Sequence, residues 1–173
     1  MNYLIKILES LTNQLKTIVI TKNLQTEASK KLYEMALKCL KIPQDLTPLD
    51  EVPDEVTCMS TINALHKKAF GEPIGGDAST YLGYIALRDS KKWVKVTSAL
   101  AGDLIISPTG FNDAEGKKNG ITSGHIGCCL TNNQIASNNS KTGLFEINFD
   151  LWTWRYHYAT RGHFPIFFFR KIF

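Results

Sequence analysis

The stretch EVTCMSTINALHKKAFG, residues 55–71, puts one cysteine, Cys58, at the opening turn of an expected helix. A thiol there meets the partial positive charge of a helix N-terminus, which favours the thiolate, the nucleophilic form. Such a nucleophile also needs a base that is close in space, though it can be distant in sequence. Of the four histidines, His125 is the best placed, because it opens the apolar run HIGCCL directly after Gly124. A strand leaving a loop at that point can aim a side chain at a helix end. His66 falls two turns past Cys58 on another part of the same helix, and His157 and His163 lie among aromatic and arginine residues near the C-terminus. Taken singly, a cysteine at a helix start is usually core and a lone histidine usually structural.

The elements that must position this pair read clearly. Ile62, Leu65 and Ala69 recur at helical spacing behind Cys58, GEPIGG ends that helix, and Ser79 caps a further one, TYLGYIALRD. Upstream, residues 27–40 form a helix with Leu32, Met35, Ala36 and Cys39 on one face, Cys39 being core filler. KIPQDLTPLDEVPD follows as a loop ending in an N-cap, Asp54. Residues 1–26 make an N-terminal amphipathic helix and linker, with Leu4, Leu8, Leu11, Leu15 and Ile18 in one stripe. That stripe is expected to pack on the domain or a second copy, or to lie on a membrane surface or a partner.

After residue 92 the texture changes to short β-branched or aromatic runs, WVKVTSAL, DLIIS, HIGCCL, QIAS, LFEINF and PIFFFRKI, separated by Gly, Asn and Pro. Helices first and strands second predict an α+β fold, the early helices packed on an antiparallel sheet, in one domain spanning residues 27–173. LWTWRYHYAT reads as a short helix between the last two strands, and PTGFNDAEGKKNGITSG as a long functional connection.

Composition narrows the function classes. With 173 residues, 43% hydrophobic and 21% charged, the chain can bury a core without disulfides or metal. Four cysteines, two of them adjacent, are too sparse for a disulfide framework and suggest free thiols in a reducing compartment. A formal charge of +4 is spread without a dense basic run, and no RNP-like, helix-turn-helix or zinc-finger pattern points to nucleic acid. Lys6, Glu9 and Lys16 interrupt the first segment, so neither a signal peptide nor a transmembrane helix is expected. His125, Cys128 and Cys129 alternate across a strand and do not form a chelate, so no metal is expected. GEPIGGD follows a helix rather than a strand and lacks a Gly-Lys-Ser/Thr ending, so no phosphate-binding cofactor is expected either. Trp152 or Trp154 could line a groove for a glycan.

In order along the chain, TCMSTIN, AGDLIISPTG, SGHIGCCL and NQIASNNSKTGLF resemble the papain-like cell-wall hydrolases of the NlpC and CHAP type. Those enzymes carry a cysteine at a helix start, a GD before an apolar strand, a GH opening the next strand, and a polar third residue on the strand after. The resemblance runs from about residue 28 to the end and is nearest to small phage-associated members. It implies a peptidoglycan hydrolase, an endopeptidase or an N-acetylmuramoyl-L-alanine amidase, made in the cytoplasm and acting at the bacterial wall. It also implies Cys58 as nucleophile, His125 as general base and a third group orienting the imidazole. Asn138 is the first choice for that group, since an amide oxygen can accept from an imidazole N–H, with Asn139 and Ser137 as alternatives. Asp103, of the GD, is expected to anchor a turn. Thr57 and Met59 depart from the NlpC pattern of aspartate before and serine after the cysteine. A non-catalytic virion or wall-binding protein, and a Cys-His hydrolase or acyltransferase of other amides, are the competing readings.

Overall fold

The computed structural model describes residues 25–40, 57–131 and 133–173. The N-terminal stripe and the Asp54 cap lie outside the described residues. Among the described residues three helices come first: α1 (Glu27–Cys39), α2 (Cys58–Phe70) and α3 (Thr80–Asp89). Thr26 caps α1 by accepting from the Ser29 N–H, and Ser79 caps α3 by accepting from Leu82 N–H. Gly71 ends α2 at φ 83°, a left-handed conformation that glycine adopts without steric penalty, and its N–H reaches Lys67 O.

Six strands follow: β1 (Trp93–Val96), β2 (Leu104–Ser107), β3 (His125–Cys129), β4 (Ile135–Asn139), β5 (Leu144–Phe149) and β6 (Phe167–Lys171). They form one antiparallel sheet in the order β1-β6-β2-β3-β4-β5. A short helix, α4 (Ala114–Lys118), interrupts the connection from β2 to β3. The expected helix before β6 is α5 (Leu151–Trp154), set by an Asp150/Thr153 capping box, which runs on as a π-helix, Arg155–Arg161. Such wide turns occur mostly as single turns within α-helices, frequently at functional sites, and this one spans seven residues.

Alternation along the strands separates two cores. Ile126, Cys128, Ala136, Leu104, Ile106 and Phe169 face α1, α2 and α3. Cys129, Ile135, Ile105 and Phe168 face the other way, onto Trp154, Tyr158 and Phe164. The fold is therefore α+β, and the sheet is covered on both faces, not only by the early helices. β2 has no solvent face at all: Leu104, Ile105, Ile106 and Ser107 are each fully buried. Each such aliphatic side chain is worth roughly 1.5–3 kcal/mol relative to exposure. Just before β2, the Asp103 carboxylate accepts two bonds from Arg170 of β6, at 2.9 and 2.6 Å, and one from Leu100 N–H at 2.7 Å. Both partners are fully buried, so the GD aspartate anchors the turn and clamps β6 to β2.

Candidate active site

Cys58 is the first residue of α2, and its thiol is almost fully enclosed at 6% exposure. Burial pushes its pKa up from 9.0 to about 11, against the backbone N–H groups of Ile126, Met59 and Cys58 itself, which pull it down. The helix-start argument predicts the opposite direction. Removal from water outweighs the helix terminus here, and the resting sulfur is a neutral thiol.

His125 opens β3, paired with Ser107 of β2. Gly124 makes this entry possible: a Cβ there would stand 2.1 Å from Ser107 O and 2.4 Å from Thr109 N. The Gly124 N–H donates to Thr109 Oγ1 at 2.8 Å, and Thr109 in turn meets the Thr80 hydroxyl at 2.8 Å, tying the strand entry to the start of α3. The imidazole packs among Tyr158 (5.8 Å between centroids, 15° between planes), Trp154 (5.4 Å) and Phe149 (5.8 Å). Trp154, the last residue of α5, and Tyr158 of the π-helix stand side by side against the ring, 4.8 Å apart. Burial lowers the His125 pKa from 6.5 to about 4, and the nearby His157 pushes it the same way. The ring is neutral over the working range of most hydrolases.

One ring nitrogen is held. His125 Nε2 lies 2.8 Å from Ser137 Oγ, and the Ser137 hydroxyl donates to Asn148 Oδ1 at 2.7 Å. Nδ1 has no hydrogen-bond partner among the described residues. Gly127 leaves the space for this line, since a Cβ on it would sit 3.2 Å from Ser137 Cβ and 2.7 Å from Ile135 Cγ2. Asn138, the first choice for the imidazole's partner, points to the other face of β4 and donates through Nδ2 to Thr57 Oγ1. It holds the residue before Cys58 rather than the ring. Asn139 donates to Glu146.

Cys58 and His125 nonetheless line one cavity of about 410 Å³, together with Asn138, Asn148, His157 and Tyr158. A second hollow of about 360 Å³ shares Cys58 with it and is walled by Ser79, Thr80, Thr109 and Gly124. The thiol thus stands where two arms of a cleft meet, an arrangement that can seat groups on both sides of an attacked bond. Tyr158 is close enough that Cys58, after burial, raises its phenol pKa further.

The other histidines lie elsewhere or do other work. His66 is buried in the helical core with Nδ1 2.6 Å from Glu72 O, and His163 pairs with Asp113 at 2.9 Å. His157 borders the cavity. Sequence reasoning missed Asn148, Tyr158 and the Thr80/Thr109 pair. Tyr158 has a signal in the aromatic run LWTWRYHY. Cys128 and Cys129 are buried on opposite faces of β3. Among the described residues, no three metal-ligating side chains are grouped and no helix is long and apolar enough to cross a membrane. No family model matches the chain, and no curated protein matches it either.

Proposed function

We propose that the protein is a thiol-dependent amide hydrolase of the papain-like NlpC/CHAP type whose substrate is peptidoglycan. The observation that carries the reading is the pairing of Cys58, at a helix N-terminus, with His125, at a strand start, on one cavity, the imidazole anchored at Nε2 and open at Nδ1. Because the thiol rests neutral, attack and deprotonation go together. The Cys58 sulfur adds to the amide carbonyl as its proton passes to His125 Nδ1. Backbone N–H groups at the start of α2 stabilise the oxyanion. The imidazolium then protonates the leaving amine, a thioester forms, and His125 activates the water that hydrolyses it. Ser137 takes the orienting role that Asn138 was expected to hold.

The substrate class rests on the resemblance of TCMSTIN, GDLIIS and SGHIG to wall hydrolases, and the phage-like texture favours a lysis enzyme. Both an endopeptidase and an N-acetylmuramoyl-L-alanine amidase fit a cleft with arms on either side of the thiol. The test is digestion of purified peptidoglycan by the wild type and by Cys58→Ala, with mass spectrometry of the fragments. New amine termini are expected from the wild type alone. Equal fragments from both proteins, or none from either, would overturn the reading.

A further inference from the structure

We infer that Asn148 is a positioning residue which, through Ser137, determines which nitrogen of His125 carries the proton. A serine hydroxyl has one hydrogen to donate, and the Ser137 hydrogen goes to Asn148 Oδ1, an oxygen that can only accept. Ser137 Oγ can then meet His125 Nε2, 2.8 Å away, only as an acceptor. The Nε2 atom must therefore carry the hydrogen, and in a neutral imidazole that leaves the lone pair on Nδ1. Nδ1 is the nitrogen without a partner among the described residues.

A second observation comes from the backbone. β4 and β5 pair Ala136 with Ile147 but Ile135 with Phe149, so Asn148 stands opposite no residue of β4. It is the extra residue of a β-bulge, a device concentrated beside active sites because it re-aims a side chain. Asn148 also borders the cavity that Cys58 and His125 share. Neither Ser137 nor the imidazole selects a tautomer alone, because a hydroxyl can donate as readily as accept. With its amide oxygen turned to the Ser137 hydroxyl, Asn148 removes that freedom. Without it the Ser137 hydrogen can turn to Nε2, the Nδ1–H tautomer becomes populated, and that tautomer has no lone pair at Nδ1 to receive the thiol's proton.

The significance for catalysis rests on the hydrolase reading above, but the tautomer does not, and the experiment separates them. Protein labelled with ¹⁵N-histidine is observed near pH 7.5 by long-range ¹H–¹⁵N correlation, with His125 assigned by loss of its signals in His125→Gln. The wild type is expected to show the Nε2–H pattern, Asn148→Ala a mixture of tautomers, and Asn148→Asp, whose carboxylate only accepts, the wild-type pattern again. If Asn148→Ala does not fold, Ser137→Ala, which leaves Nε2 without its acceptor, serves for the same measurement. In turnover, Asn148→Ala is expected to lower kcat by about tenfold or more with KM little changed, and Asn148→Asp to restore it. A wild-type ring in the Nδ1–H form, or an unchanged ring pattern in Asn148→Ala, overturns the inference. The expected ring patterns in a protein that cuts no amide would leave the inference standing and sink the hydrolase reading.

Discussion

The reactivity of Cys58 towards iodoacetamide, followed against pH in the wild type and in His125→Gln, tests whether the imidazole serves the thiol. Burial raises the thiol pKa from 9.0 to about 11, so by ionisation alone Cys58 carries about a hundredfold less thiolate than an ordinary cysteine at any pH below 9. A thiol that reacts only through that thiolate gains about tenfold in rate for each pH unit, up to its pKa. His125 is neutral above about pH 4 and can accept the proton as sulfur attacks carbon, which adds a component that is flat from weak acid to weak alkali. At about pH 6 the thiolate fraction is on the order of one in 10⁵, and the assisted path dominates. Positioned general bases are worth about 10²–10⁴-fold, so the wild type should exceed His125→Gln by that much near pH 6, the two converging near pH 11. Timed labelling, acid quench and mass spectrometry of the peptide carrying Cys58 give the rates, with Cys128 and Cys129 as buried internal references. Profiles that superimpose, both rising tenfold per unit throughout, would mean that His125 does not act on this thiol.

Asp103→Asn should cost about 3–5 kcal/mol, because it removes the buried carboxylate that accepts two bonds from the fully buried Arg170. In a chain of this size that is a fall of roughly 6–20 °C in thermal midpoint, and a loss below about 1 kcal/mol would contradict the clamp. Gly124→Ala forces a methyl against backbone at 2.1 and 2.4 Å, so peptidoglycan cleavage should drop by at least about tenfold, with about 1–3 kcal/mol lost in urea unfolding. Acid sensitivity follows from His125, whose pKa falls from 6.5 unfolded to about 4 folded. Between those values the unfolded chain binds a proton that the native ring refuses, so stability is full above about pH 6.5 and declines towards pH 4, by up to roughly 3 kcal/mol. His66 and His157 are lowered by burial too, so the comparison of urea midpoints with His125→Gln isolates the ring's share, and identical pH dependence in both proteins would refute it.

Much of the fold was legible because the relevant signals are local. Capping by Ser79, termination at Gly71 and the strand runs after residue 92 each depend on a few neighbouring residues, and all appear in the structure. The thiol's acidity was not legible. A helix N-terminus can be read from a sequence, but its effect of a fraction of a charge competes with desolvation, which depends on residues folded in from β3 and the π-helix. The π-helix itself was read as an ordinary short helix, since nothing in RYHYATR distinguishes the wider turn from an α-turn before tertiary contacts select it.

Asn138, the expected third residue, turns to Thr57, and Ser137 stands at the imidazole. Period-two alternation puts Ser137 and Asn138 on opposite faces of β4, so only one of them can reach the ring. The face was the stronger criterion. Cys129 pairs with Ile135, and continuing that antiparallel register puts Gly127 across from Ser137, on the face that His125 shares. Asn138 then belongs to the face of Ile126 and Ala136, where it reaches Thr57. The amide that an orienting group was expected to provide is present after all, one strand further on, supplied through a hydroxyl. Asn148 could not be found by parity, because its place depends on a bulge that skips it in the pairing of β4 with β5. A bulge is a property of two strands in register, and a single strand's sequence does not specify its partner's count. For sites of this construction, the polar residue nearest in kind to the expected one is a weaker guide than the face on which the histidine emerges.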